Sequence, residues 1–138
     1  MNDSPELVSI CLCERVLQDV FRKDAVTLVN VHNGDSSQAF PTLVPVLYAF
    51  AQLKGNNQPF SYQFKITDPK KVVISASSVG QVEPINDPNA MHKIISAFSG
   101  LIFPVPGLYT VTLQINDKVV SSLPFQVDQI TVNQPAIV

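Results

Sequence analysis

Residues 103–127, FPVPGLYTVTLQINDKVVSSLPFQV, constrain the fold of this chain more than any other stretch. Tyr109, Val111, Leu113 and Ile115 alternate with Thr110, Thr112, Gln114 and Asn116. Period-two alternation marks a strand with one face in a core and one in water. A second run puts Val119, Leu123, Phe125 and Val127 on one side, with Ser122 and Gln126 on the other. Residues paired across a hairpin share a face. A three-residue loop, Asn116-Asp117-Lys118, therefore predicts the pairs Ile115–Val119, Val111–Leu123 and Tyr109–Phe125. A two-residue loop would set Ile115 against Lys118 and mix the faces. Pro124 lacks an N–H and in this register points away from the hairpin partner. The second strand is therefore expected at a sheet edge, or without an outer neighbour near Pro124.

Other strands follow along the chain. Residues 7–14 alternate, with Val8, Ile10 and Leu12 on one face and Ser9, Cys11 and Cys13 on the other. Val16, Leu17, Val20 and Phe21 have helical spacing, so a short helix is expected within residues 15–23. Residues 26–32 are rich in β-branched side chains and predict a second strand, closed by a loop over 33–37. Residues 43–53 are apolar on both faces, as in a central strand, with Pro45 near its start. Residues 60–67 alternate with Phe60, Tyr62, Phe64 and Ile66 inward. Asp68-Pro69-Lys70-Lys71 is a turn into a strand over 72–77, and residues 78–90 read as irregular. Residues 91–103 allow either helix or strand. Ser99-Gly100 and the following Pro104 favour a strand running into a bend. About eight short strands separated by turns imply an all-β, immunoglobulin-like antiparallel β-sandwich, one domain over 1–138. Pro106-Gly107-Leu108-Tyr109 resembles the tyrosine corner of such sandwiches, and Val111 stands where an antibody domain has its cysteine.

Composition limits function. The 138 residues carry 14% charged side chains against roughly 25% in typical globular proteins. The net charge is −2, so no basic field attracts nucleic acid or anionic lipid. No apolar run approaches the roughly 18 residues of a membrane span, and the first residues lack the basic leader of a secretory signal. Cys11 and Cys13 are the only cysteines, badly spaced for a disulfide with each other. A reducing, cytoplasmic compartment is the simplest expectation.

The search for chemistry returns weak candidates. Cys11 and Cys13 would share one strand face, but a zinc site needs about four ligands and only His32 and His92 could join them. Small hydrophobes packed on a sheet explain both thiols better. A cysteine nucleophile with His32 or His92 as base has no motif behind it. His32 is expected beside a turn and His92 at a strand start. The loops at Asp35 and at Asp87 each offer one carboxylate, short of the 6 to 8 oxygens of a calcium site. No phosphate-cradling glycine loop or H-E-x-x-H motif occurs. No catalytic residue, metal or cofactor is assigned.

Cys13-Glu14-Arg15-Val16 after an apolar strand, the 41–45 segment PTLVP, FPVPGLY at 103–109 and LPFQV at 123–127 together resemble one family. It consists of small bacterial immunoglobulin-like β-sandwich proteins, known only as a domain of unknown function. Asn30 stands where that family usually has glycine. The resemblance implies the sandwich, a bacterial source and the cytosol, and carries no catalytic residues with it.

The expected function is a non-catalytic cytoplasmic module that binds a protein partner or itself. The alternative is a small-ligand binder using the loops at one end of the sandwich. A homodimer or a stable hetero-complex is expected from residues 43–53, where Leu43, Leu47 and Leu53 oppose Val44, Val46 and Phe50. One set faces the interior, and the other needs a cover, either a partner or the helix expected around 16–21.

Overall fold

A computed structural model describes residues 5–22, 25–55, 57–85, 87 and 89–131. Among the described residues ten strands form two sheets. The first has the order β2-β1-β4-β8, built from β1 (Glu6–Gln18), β2 (Val26–Val31), β4 (Thr42–Lys54) and β8 (Met91–Phe103). The second runs β3-β10-β9-β5-β6, from β3 (Gly34–Ser37), β5 (Phe60–Thr67), β6 (Val73–Ala76), β9 (Gly107–Ile115) and β10 (Lys118–Gln129). The short β7 (Gly80–Val82) pairs with β5 beside β6. All pairings are antiparallel except that of β3 with β10. The fold is an immunoglobulin-like β-sandwich.

The core takes the inward face of each sheet. Phe60, Phe64, Ile66, Tyr109, Val111, Leu113, Ile115, Phe125 and Val127 come from one sheet. Leu12, Leu47, Ala49, Ala51, Leu53, Ile94 and Phe98 come from the other. At one end Phe103 lies edge-on to Tyr109, with centroids 4.7 Å apart, and stacks on Phe125 at 5.5 Å. Each such pair adds about 0.5–1.5 kcal/mol beyond burial alone. The Tyr109 hydroxyl donates to the Val105 carbonyl at 2.7 Å, closing the expected tyrosine corner.

The hairpin differs from expectation in a telling way. Asn116 and Asp117 both have positive φ, 50° and 65°, the backbone of a type I′ two-residue turn. Ile115 therefore faces Lys118, as the shorter loop requires. A bulge between Val119 and Ser121 then inserts the missing residue, and Leu123–Val111 and Phe125–Tyr109 pair as expected. The extra residue sits one step inside the ladder because a type I′ turn matches strand twist, whereas the longer loop does not need to. Pro124 pairs with Thr110 on one side only, since the β3 ladder begins at Gln126. Gln126 N–H points outward to the Asn33 carbonyl at 3.0 Å, so Pro124, two residues earlier, leaves no donor missing.

Three other expectations need correction. No helix occurs among the described residues. β1 continues through Val16 and Leu17 to Gln18, paired with β2, and Val20 and Phe21 lie more than nine-tenths exposed. Local spacing gave way to the partner strand, and this segment covers nothing. The loop expected over 33–37 is partly strand, because β10 offers a free edge to β3. In β1 a bulge between Leu7 and Ser9 leaves Val8 half-exposed and turns Leu7 against the core.

The β4 faces also divide otherwise than expected. Val44 joins Leu47 and Leu53 in the core, while Leu43 is exposed and Phe50 is buried outside the core cluster. The inward side of β4 switches from even to odd positions across Pro45, and β8 switches across Gly100, its counterpart in the register. Gly100 has φ 64°. The β1 ladder with β4 ends at Tyr48, so Pro45 lies beyond the part of β4 that is paired on both sides. Asn30 has φ 53°, a left-handed backbone that asparagine adopts more readily than most non-glycine residues. Its side chain donates to Glu14 at 2.8 Å.

Candidate functional site

The residues singled out from the sequence are scattered by the fold. Cys11 and Cys13 do share a face, on the outward side of the first sheet, opposite Phe50 and Tyr48. Both are free thiols, Cys13 fully buried and Cys11 partly so. Burial pushes both thiols up; the neighbouring Cys11 raises Cys13 further, and backbone hydrogen bonding at Arg15 partly offsets this. Such thiols are poor nucleophiles at neutral pH. His32 ends β2, with Nδ1 2.9 Å from the Gly34 carbonyl and its ring 5.8 Å from Phe125. His92 begins β8, edge-on to Phe60 at 5.9 Å, and burial lowers its pKa. The fold thus packs the two histidines against different aromatics. Among the described residues no three His, Cys, Asp or Glu side chains gather as a metal site would need.

Asp35 and Asp87 serve their own turns. Asp35 accepts from Ser36 N at 2.8 Å and Asp87 from Asn89 N at 2.9 Å. Asp68 does the same for Lys70 and Val72 at 2.9 and 2.8 Å. Side-chain to backbone bonds of this kind fix a turn, and each of these engages one oxygen, Oδ1, of its carboxylate.

A different region combines access with unspent hydrogen-bonding capacity. A cleft of about 500 Å³ lies on the open side of the sandwich, between the edges of its two sheets. Residues 75–80, with Tyr62, line one wall and residues 95–99 of β8 line the other. Gly80 gives the first wall its shape, because a Cβ there would fall 2.3 Å from the Tyr62 ring, which lies flush on the backbone. Ser77 is committed, accepting from Phe64 N at 3.0 Å and donating to the Ser78 carbonyl at 3.1 Å. The hydroxyls of Ser75, Ser78, Ser96 and Ser99 make no hydrogen bond to another described residue. None of the lining side chains is charged. The wall therefore offers neutral donors and acceptors and no acid, base or nucleophile activated by a neighbour.

The β8 wall is also a bare strand edge. Among the described residues β8 pairs with β4 alone, from Met91 to Phe103, and contains no proline. The other edge strands β2, β3 and β6 have six, four and four residues. Long unguarded edges expose backbone N–H and C=O groups to any incoming strand. Sequence reasoning missed this region. Its signals were the serines of residues 75–78 and 96–99 and the single lysine, Lys93, within residues 91–103.

Residues 8–128 match the model of a family of unknown function, DUF6941. No curated protein matches the sequence. The solved structures that match this chain include the following two. One is an immunoglobulin-like protein from Pseudomonas aeruginosa, with TM-score 0.41, 13% identity, and coverage of 90% of this chain and 96% of that one. The other is an alkylpurine DNA glycosylase from Pseudomonas fluorescens bound to DNA containing an abasic site analogue. It gives TM-score 0.46 and 9% identity over 86% of this chain, which spans 30% of that chain's length.

Proposed function

The chain belongs to DUF6941, a family of unknown function, and from that premise we propose that it is a non-catalytic module that binds other polypeptides. One observation carries this reading: the thirteen-residue edge of β8, free of proline, lies open beside a neutral, hydroxyl-lined cleft. Strand addition to such an edge gives affinity through main-chain hydrogen bonds, and the side chains beside it give selectivity. The sparse charge of the chain fits an interface rather than an electrostatically steered ligand. Among the described residues no helix is long and apolar enough to cross a membrane. We place the module in the bacterial cytosol, on the strength of two free thiols and the family resemblance.

Tagged protein bearing Ala97→Pro, which blocks strand addition at an exposed β8 position, tests the reading against wild type. Copurifying polypeptides, including untagged copies of the chain, are expected with wild type and not with the variant. Identical recovery from both would refute it. A second reading, a small neutral polyhydroxylated ligand, is favoured by the four uncommitted serine hydroxyls of the cleft. That places the ligand between the sheet edges rather than at the loops of one end. Thermal stabilisation by one sugar, abolished by Ser96→Ala/Ser99→Ala, would replace the first reading with the second.

A further inference from the structure

We infer that the occupant of the β8 edge is the β8 edge of a second copy, forming a two-fold dimer in which the first sheets become one continuous sheet. This rests on the polypeptide-binding reading above and adds the identity of the partner. The argument comes from register. Directly opposed residues in an antiparallel pair share a face, so a symmetric β8–β8 pair must be centred on a residue and not between two. Of the central positions, only Ser96 matches like with like. It pairs Ile94 with Phe98 on the core face, Ile95 with Ala97 on the outer face, and Lys93 with Ser99. Centring on Ile95 opposes Ile94 to Ser96 and Lys93 to Ala97. Centring on Ala97 opposes Ser96 to Phe98 and Ile95 to Ser99.

Charge agrees with this choice. Lys93 is the sole lysine, arginine or carboxylate side chain in β8. In the Ser96-centred register the two copies of Lys93 stand about 20 Å apart, so the pairing opposes no like charges. Access agrees as well. The cleft opens onto residues 95–99, the middle of that register, with residues 75–80 across it. An added strand occupies the position about 4.8 Å beyond β8. The ladder stops at Gly100, where φ 64° bends β8 out of line. A closed two-fold pair uses up both bare edges and leaves none to propagate a fibre.

Ser99 is exposed, so substitutions there test the register without disturbing the core. Light scattering over a dilution series is expected to give twice the 15.1 kDa chain mass at high concentration. Ser99→Lys faces Lys93 of the other copy twice per dimer and should raise the dissociation constant about tenfold. Ser99→Glu in the same place should lower it several-fold. Circular dichroism and melting temperature should be unchanged in both. A dimer that responds equally to Lys and Glu, or to neither, overturns the inference. So does a 15.1 kDa monomer at every concentration. If that monomer still captures another protein through β8, only the self-pairing fails; if it captures nothing, the polypeptide-binding reading fails too.

Discussion

Tyr109 shows how one polar atom can fix the end of a sandwich. Its ring is fully buried between Phe103 and the second sheet, and its hydroxyl reaches back to the Val105 carbonyl at 2.7 Å. Burial pushes the phenol up and keeps the proton available for donation. Tyr109→Phe retains the ring and strands the carbonyl, so a loss of about 1–2 kcal/mol is expected in urea denaturation. An unchanged midpoint would mean that the Val105 carbonyl finds another donor. The cysteines make the opposite point at the same scale. Their spacing puts them on one strand face, and burial there raises both thiols, which weakens them as nucleophiles at neutral pH.

Among the elements, β4 and β8 are tied by a matched irregularity. Pro45 and Gly100 are counterparts in the register, and the core-facing side of both strands changes there. A Cβ at Gly100 would meet nothing within 4 Å, so any cost of substitution is conformational. Gly100→Ala forces a side chain into the left-handed region and should destabilise the protein by about 1–2 kcal/mol. Thermal unfolding of the variant measures this, and a neutral result would show that the strand can straighten. The hairpin solved a similar problem differently. Its type I′ turn took two residues and passed the third to a bulge, so β10 kept Leu123, Phe125 and Val127 on the face their alternation required.

For the whole molecule, stability should depend on pH through His92. Burial lowers its pKa from 6.5 in the folded state, while the unfolded chain keeps the ordinary value. Between the two values the unfolded state binds more protons, so the unfolding free energy rises with pH. The contribution is complete above pH 6.5 and is lost as pH falls through the lower, folded value. Denaturation midpoints taken from pH 7 down to pH 5 should fall for wild type and fall less for His92→Gln. Parallel curves would show that protonated His92 is tolerated beside Phe60.

Alternation alone determined that residues 60–67 and 109–115 are strands and which of their side chains turn inward, because period two admits one inward face, although Tyr62 is only partly buried. It also determined the Leu123–Val111 and Phe125–Tyr109 pairs, since their faces had to match. The tyrosine corner was legible from Pro106-Gly107-Leu108-Tyr109. Residues 16–18 were not, because helical spacing is a local signal and β2 supplied a hydrogen-bonding partner from outside the window. The loop at 34–37 became a strand for the same reason, with β10 as the partner. The face switch at Pro45 needed Gly100, fifty-five positions away in the chain and adjacent only in the sheet. The candidate site was the least legible feature. Serines at 75–78 and 96–99 look like ordinary solvent-facing residues until two sheet edges bring them to opposite walls of one cleft. A bare strand edge leaves only a weak residue signature, here one lysine and no proline in residues 91–103, because it is defined by the neighbour that the tertiary fold does not supply.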